Sequence, residues 1–462
     1  MTATATNMHD RPAAAARATA RRYLPDGMGS DRITATVADP VLERRFGRLW
    51  WAAFLVSSAL TLVMIASLVW LVREGVGIWG INTTNVWGFA IANYVWWIGI
   101  GNAGTLISSM LLLTRQRWRT SISRFAEAMT LFAAAIAGLF PIFHLGRPWL
   151  FYWLVPYPDT MDLLPQWRSP LVWDFFAIAS YLIFSILFWY TGALPDLATM
   201  RDRARGRIAR RIYGAFALGW RGSARHWHHY EAFYRAMAAL GVPLVVSVHS
   251  VVGMDFAAGL MPGWNQSNFP PYFVVGAMFS GFAMVVVLAA LIRRGLGLQR
   301  LITLDHFDAM ARILLFASLV MSISYATEWF FAWYSGDRAE RLLVRFEFSG
   351  LYAPLYWTMI LYNCVLPLTF AVRAARRSLP VLLGVAILIN LGMWLERILI
   401  ISETLSRGHL PSQWRAYAPT IWDWPLLLGT LGFFAFMFLL FVCLVPSVSM
   451  QEMKARLREV RA

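Results

Sequence analysis

Ten apolar segments dominate the chain, and each is long enough to cross a bilayer as a helix. About 20 predominantly apolar residues span the hydrocarbon core, and runs of this length recur along the 462 residues. The predicted spans are residues 50–72, 87–113, 126–146, 171–191, 231–254, 272–292, 307–334, 352–372, 379–403 and 424–446. The sequence therefore predicts an all-α polytopic membrane protein.

The charged residues are distributed in a pattern that matches these spans. Only 14% of the residues are charged, whereas soluble proteins carry about 25%. The net charge of +16 comes from short basic loops rather than a nucleic-acid surface. These loops follow every second span, with Arg117, Arg205, Arg294, Arg376 and Lys454 as examples. Because basic loops stay in the cytoplasm, both termini are predicted to be cytoplasmic.

The chain divides into a membrane domain and two tails. A basic tail covers residues 1–45 and is expected to be mobile or to lie against a partner. The membrane domain covers 46–446, and a cytoplasmic C-terminal tail covers 447–462. Cysteine occurs only at Cys364 and Cys443. Two cysteines cannot hold an iron–sulfur cluster, so any cluster is expected in a partner subunit.

The third span carries ionisable groups at both ends. It begins near Glu127, and the sequence HLGRPW at its end contains His144 and Arg147. Ionisable residues are costly in lipid, so they indicate function by default. Chain direction puts Glu127 on the cytoplasmic side and His144 on the outer side.

The same outer level receives three further ionisable residues. Asp174 begins span four, His249 lies in the outer third of span five, and Asp255 follows it. A quinol releases two protons with its electrons, and histidine with carboxylates can accept them near neutral pH. We therefore predict a quinol site. One alternative is polar residues anchored at the interface. Another is a b-type haem between His144 and His249, which we disfavour because no inner-leaflet pair exists.

Other buried carboxylates are arranged as a proton relay would need. Four carboxylates and one imidazole are predicted at successive depths: Glu127, Glu328, Glu396, Glu403 and His249. Arg397 lies beside Glu396 and is positioned to pair with another carboxylate. Fixed ion pairs between helices are the competing explanation for these two residues.

Two patterns indicate how the helices pack. The sequence of residues 125–129, FAEAM, is repeated weakly as HFDAM at 306–310, four spans later. This spacing predicts two parallel bundles, at about 87–254 and 272–403. The small residues of 99–109, GIGNAGTLISS, favour a close helix–helix contact over a phosphate loop.

Two predicted outer loops, 147–170 and 255–271, are aromatic and contain few basic residues. They are interpreted either as lipid-interface packing or as a docking face for an extracytoplasmic partner.

The sequences GIGNAGTLIS and RQRWRTSISRFAEAMTLFAAAIAGLFPIFHLGRPW resemble the NrfD/PsrC family of membrane quinone-interacting subunits. Within it, the chain is most similar to an NrfD-like membrane subunit of bacterial alternative complex III. The resemblance covers all ten spans. It implies two four-helix bundles with two peripheral helices, in a bacterial inner membrane.

The resemblance also implies function. It implies oxidation of menaquinol or ubiquinol near the outer face, with no metal or haem held by this chain. It implies as partners an extracytoplasmic iron–sulfur subunit, c-type cytochromes and a homologous NrfD-like membrane subunit. The catalytic positions fall on His144, Asp174 and Asp255, and the proton-path carboxylates on Glu127, Glu328 and Glu396.

One position departs from the family pattern. We expect histidine where this chain has Asn102. Asparagine forms hydrogen bonds but does not take up a proton near neutral pH, so Asn102 itself is not expected to carry a proton.

Three alternatives stay open. The chain could anchor a molybdopterin enzyme such as polysulfide reductase, act as a proton-coupled secondary transporter, or serve as an assembly scaffold without a quinol site. Against a transporter, no span has the pattern of two half-helices broken at the midplane by a Gly/Pro pair.

Overall fold

The computed structural model describes residues 23, 28–43, 46–154 and 169–461. These residues form helices and connecting turns and no strand. The helices are α1 (Ser30–Leu42), α2 (Arg48–Glu74), α3 (Gly88–Leu113), α4 (Ser123–Phe143), α5 (Pro170–Arg203), α6 (Arg207–Phe216), α7 (Ala224–Ala257), α8 (Phe269–Gly295), α9 (Leu304–Tyr334), α10 (Arg338–Ser349), α11 (Ala353–Ile360), α12 (Arg373–Arg377), α13 (Leu379–Ile398), α14 (Trp424–Leu444) and α15 (Met450–Arg461).

Nine of the ten predicted spans are confirmed as helices long and apolar enough to cross a membrane. The exception is the segment predicted at 352–372. There α11 passes into a π-helical turn at Leu361–Val365 and then a 3₁₀ stretch at Leu366–Ala371. Pro367 lacks an N–H and cannot continue an α-helical ladder. The sequence did not predict this change of helix type, and the segment contains no Gly/Pro pair.

Eight helical segments form two bundles. Bundle one contains α3, α4, α5 and α7; bundle two contains α8, α9, the segment 353–371 and α13. Helix α8 begins 181 residues after α3, and α9 begins 181 residues after α4. This constant offset supports the parallel repeat predicted from 125–129 and 306–310.

Glycines set the closest helix contacts. A Cβ on Gly104 of α3 would lie 2.0 Å from the carbonyl oxygen of Ala126 in α4. A Cβ on Gly281 of α8 would lie 1.8 Å from Cβ of Ala103. The predicted packing role of 99–109 is thus confirmed, because a Cβ at either glycine would overlap an atom of the facing helix.

Helices α2 and α14 form a peripheral pair that packs beside bundle one. A Cβ on Gly429 or Gly432 would lie 2.4 Å or 2.3 Å from a side-chain carbon of Met64 or Leu60, respectively. The architecture is therefore two four-helix bundles with two peripheral helices.

Parts of both predicted tails are helical and packed. Helix α1 lies against α15, and α15 also contacts α5. The predicted tail residues 1–22, 24–27 and 44–45, and residues 155–168 of the predicted aromatic loop, lie outside the described residues.

The two ends of the membrane domain are called the His144 face and the Glu127 face, after one residue at each end. At the His144 face, α4 ends and α5 begins; at the Glu127 face, α3 ends and α4 begins. The arginine-rich connections after α3, α5 and α8 all lie at the Glu127 face.

Candidate functional site

A pair of aspartates lies at the His144 face of bundle one. The Tyr94 hydroxyl of α3 donates a hydrogen bond to Oδ2 of Asp174, near the start of α5. Asp255, near the end of α7, interacts electrostatically with Asp174 and with Tyr94. Chain direction brings these three positions to one level, as the sequence predicted for the two aspartates.

Each aspartate keeps one oxygen without a hydrogen-bond partner among the described residues. These atoms are Oδ1 of Asp174 and Oδ1 of Asp255, and both are buried. Asp174 is only 6% exposed. A buried carboxylate oxygen without a donor is costly. The pair is therefore suited to accept hydrogen bonds or protons from a bound molecule.

His144 lies directly after α4 at the same face. Its ring Nδ1 is 3.3 Å from the carbonyl oxygen of Pro141. A carbonyl only accepts, so Nδ1 carries the hydrogen and Nε2 keeps its lone pair. Burial lowers the pKa of His144 below its usual value, which favours the neutral imidazole. His144 can thus act as a proton acceptor.

The turn after His144 depends on Gly146. This glycine has φ of +69°, a left-handed conformation that glycine adopts without strain. A Cβ there would lie 2.6 Å from Val76 Cγ1. Arg147 follows and is exposed, so the structure places this predicted quinol-binding residue at the surface.

His249 lies deeper in bundle one than the aspartate pair. It is 1% exposed, and its Nδ1 accepts a hydrogen bond from the side-chain amide of Asn102. Within the described part of the chain, Nε2 has no hydrogen-bond partner. His249 and Asn102 therefore form a buried polar pair between α7 and α3, and Asn102 is the position where we expected histidine.

Polar groups continue from this pair along α3. The Thr130 hydroxyl donates to the Gly101 carbonyl at 2.6 Å, and the Tyr181 hydroxyl donates to the same oxygen at 2.8 Å. Thr105 and Ser185 have hydroxyl oxygens 3.4 Å apart. Tyr94 to Ser108 covers about 21 Å of helix at 1.5 Å per residue. A polar stripe thus runs along α3 through the interior of bundle one.

The stripe ends in a charged network at the Glu127 face. Glu127 accepts a hydrogen bond from the Tyr234 hydroxyl at 3.1 Å, and Arg119 donates to that hydroxyl at 3.1 Å. Arg119 also forms a bidentate pair with Glu452 of α15 at 2.8 and 2.9 Å. The C-terminal helix therefore closes this end of bundle one.

Bundle two holds a separate polar centre. Glu396 accepts hydrogen bonds from the Tyr325 hydroxyl and, at 3.4 Å, from the Asn363 amide. Its other oxygen pairs with Arg397. The expectation that Arg397 pairs with another carboxylate is wrong. Both residues are buried, and the adjacent Glu396 is the carboxylate within its reach.

Arg397 lies between the Glu396 centre of bundle two and the His249–Asn102 pair of bundle one. Its guanidinium stacks on Phe273 of α8, 4.3 Å from the ring centroid, and interacts electrostatically with His249 in bundle one. A cation over an aromatic face is stabilised by the ring quadrupole.

A second group of carboxylates surrounds a small cavity in bundle two. The cavity measures about 20 Å³, room for a single water molecule. Glu328, Glu347 and Glu396 line it together with Tyr325 and Tyr356. Glu403 interacts electrostatically with Glu328. Three of the predicted proton-path residues, Glu328, Glu396 and Glu403, are thus neighbours, while Glu127 lies in the other bundle.

Sequence reasoning missed the tyrosines. Tyr94, Tyr234 and Tyr325 each donate to a predicted carboxylate. A tyrosine within an apolar span is the signal that could have identified them, because a buried hydroxyl requires a partner. Among the described residues, no group of three or more His, Cys, Asp or Glu side chains could hold a metal ion.

The fold and these groups define a helical multi-pass membrane protein with buried ionisable side chains in both bundles. Comparison with protein families identifies it further. Residues 79–407 match the family described as Polysulphide reductase, NrfD, which is more than half of the chain. The chain therefore belongs to the NrfD family, and the family resemblance is confirmed.

Two curated relatives carry reductase names. A putative dimethyl sulfoxide reductase membrane subunit of Halobacterium salinarum is 27% identical over 260 residues, 56% of this chain and 55% of that protein. A selenate reductase subunit of Mesobacillus selenatarsenatis is 23% identical over 425 residues, 86% of this chain and 95% of that protein. The chain thus matches about half of the first relative and nearly all of the second. Similarity to alternative complex III stays a prediction.

Proposed function

We propose that this chain is the quinol-binding and quinol-oxidising membrane subunit of an oxidoreductase complex. The observation that carries the proposal is the pair of carboxylates, Asp174 and Asp255, each with a buried oxygen that has no hydrogen-bond partner among the described residues. Two acceptors at one site suit a substrate that releases two protons. The quinol, either menaquinol or ubiquinol, enters as substrate.

The reaction divides between this chain and a partner. Oxidation of one quinol yields one quinone, two protons and two electrons. The protons pass to Asp174 and to Asp255 or His144, and the electrons pass to an iron–sulfur partner subunit. Tyr94 orients Asp174 by donating to Oδ2, which leaves Oδ1 directed to the substrate. His144 offers Nε2, because Nδ1 is held by Pro141.

The charge distribution supports an orientation in a bacterial inner membrane. Arginines concentrate at the Glu127 face, so this face and both termini are cytoplasmic. The quinol site then lies near the outer face, and its protons leave on that side.

The polar stripe along α3 supports proton translocation through bundle one. It leads from Glu127 past Thr130 and the His249–Asn102 pair toward the two aspartates. Glu328, Glu396 and Glu403 form a second carboxylate group in bundle two, which Arg397 joins electrostatically to His249. A titratable group at each end and polar side chains between them are what a relay requires.

The class of partner distinguishes two versions of this proposal. In one, an extracytoplasmic iron–sulfur subunit accepts the electrons and passes them to c-type cytochromes, and a homologous NrfD-like subunit is a further partner. In the other, the chain anchors a molybdopterin enzyme. The reductase names of both relatives favour the second version. Identification of the subunits that co-purify with the chain distinguishes them.

A second candidate function is proton-coupled secondary transport. The change from α-helix to π- and 3₁₀-helix in the segment 353–371, where Asn363 contacts Glu396, favours it, since transporters use irregular helices around ionisable residues. Solute uptake by the isolated chain in liposomes would support transport. Absence of uptake, with quinol oxidation by the intact complex, would support the oxidoreductase.

The main test compares three aspartate variants of the intact complex. Asp174→Asn and Asp255→Asn keep the size of the side chain and remove the proton acceptor. Asp202→Asn is the matched control, because Asp202 is exposed at the opposite end of α5. We expect quinol oxidation to be abolished in the first two variants, with normal assembly. Wild-type turnover in both would refute the proposal.

A further inference from the structure

A cavity of about 660 Å³ opens at the Glu127 face, remote from the aspartate pair. Its walls come from the end of α3 with the following turn, and from the first turns of α9. The cavity therefore lies between bundle one and bundle two. A volume of this size accommodates part of a small amphiphilic molecule.

The polar side of the cavity is cationic. Arg115, Arg117 and Arg312 line it together with a single carboxylate, Asp308. That carboxylate accepts from Arg312 at 2.8 Å and also from Arg376 at 2.8 Å. Two guanidinium groups share one carboxylate, so the trio keeps one positive charge. With the exposed Arg115, the lining of the cavity contains more arginines than carboxylates.

The backbone at Arg115 adds an independent observation. Arg115 has φ of +53° in the turn that ends α3, where the Gln116 N–H donates to the Leu111 carbonyl at 2.8 Å. Glycine is the usual residue at such a position because other side chains are strained there. The chain nevertheless places an exposed arginine at this turn. Strained residues of this kind cluster at ligand-binding positions.

The opposite side of the cavity is apolar. Met110, Leu111 and Ile313 belong to helices that cross the membrane, and Trp118 and Tyr23 stand beside the arginines. The site thus combines a cationic rim at the membrane surface with an apolar wall that continues along the helices. Basic pockets of this kind between spans bind anionic lipid head groups.

We propose that this cavity binds the phosphate group of an anionic glycerophospholipid. The phosphate contacts Arg115, Arg117 and Arg312, and the upper acyl chains lie along Met110 and Ile313. The bound lipid bridges α3 and α9 and so connects the two bundles. A free phosphate ion shares the cationic contacts but leaves the apolar wall uncovered, and for this reason the lipid is the favoured ligand.

The test uses the purified intact complex in phosphatidylcholine nanodiscs with and without phosphatidylglycerol. Native mass spectrometry counts the phosphatidylglycerol retained on the wild type and on the double variant Arg115→Gly, Arg312→Gln. Glycine at 115 relieves the backbone strain, and Asp308 keeps Arg376, so the variant is expected to fold. Arg294→Gln is the matched control, because Arg294 is an exposed arginine at the same face outside the cavity.

We expect roughly twenty-five-fold weaker phosphatidylglycerol binding in the double variant, since each of the two basic residues near the surface contributes roughly fivefold. The control should bind as the wild type does. Equal retention of phosphatidylglycerol by the wild type and the double variant would overturn the proposal. It would also be overturned if the wild type retained phosphatidylcholine as strongly as phosphatidylglycerol. Displacement of the lipid by inorganic phosphate at similar concentration would identify a free-anion site and overturn it as well.

Discussion

The Tyr94 hydroxyl of α3 donates a hydrogen bond to Asp174 of α5. These residues are separated by 80 positions in the chain and meet because α3 and α5 belong to the same bundle. The bond occupies one carboxylate oxygen and leaves the other unpartnered among the described residues. Tyr94 therefore fixes the orientation of the carboxylate that the proposed mechanism uses.

Tyr94→Phe should slow quinol oxidation about tenfold, because a hydrogen bond to a charged group contributes about 1.5 kcal/mol or more. Assembly should be normal, since the ring remains. The measurement is the turnover of the complex with a soluble quinol analogue. Tyr190→Phe is the control, because Tyr190 of α5 donates to the Phe216 carbonyl at the opposite end of the bundle. Equal turnover in both variants would exclude this role for Tyr94.

The pH dependence of turnover tests His144. Burial lowers the pKa of this imidazole, so its neutral, proton-accepting form persists to lower pH than in a free histidine. The contribution of His144 to the rate should therefore be constant from about pH 7.5 to about 6.5, the usual histidine pKa, and decline only at lower pH. The comparison is between pH–rate profiles of the wild type and His144→Ala. A decline above about pH 6.5 that is absent from the variant would contradict this assignment.

Asn102→Leu should destabilise the protein by about 1–3 kcal/mol, because it leaves Nδ1 of the buried His249 without its donor. Thermal unfolding of the purified complex measures the effect. Asn102→His tests the family pattern, since it places a second imidazole beside His249. If Asn102→Leu unfolds at the wild-type temperature, the two side chains do not form the bond described here.

Glu452→Gln tests the attachment of α15. Arg119 is 4% exposed and pairs with Glu452, and a buried charge that loses its partner destabilises by about 3–5 kcal/mol. We expect faster hydrogen exchange over residues 450–461 and a lower unfolding temperature. The control is Arg458→Gln, because Arg458 is exposed on the same helix. Unchanged exchange in Glu452→Gln would show that other contacts hold α15.

The sequence was sufficient to predict those features that depend only on residues within one span or on the direction of the chain. Apolar length identified nine spans, and chain direction brought Asp174 and Asp255 to the same level. The small residues of 99–109 predicted close packing, which the approach of Gly104 to Ala126 confirms. These inferences need only helix geometry and the thickness of a bilayer.

What the sequence left open depends on packing between distant segments. Arg397 pairs with its chain neighbour Glu396 because Tyr325 and Asn363 from other segments hold that carboxylate in place. The helical geometry at Leu361–Ala371 was also missed, although Pro367 was a visible signal. The docking of α15 through Glu452 could not be inferred from a basic tail, since its partner Arg119 lies 333 positions earlier.

Titration of a quinone analogue into the purified complex tests the central claim most directly. The wild type should bind the analogue saturably, with one site per copy of this chain. The Asp174→Asn, Asp255→Asn double variant should bind at least tenfold more weakly, while Asp202→Asn binds as the wild type does. Saturable binding of equal strength in the wild type and the double variant would contradict the assignment of the quinol site to this aspartate pair.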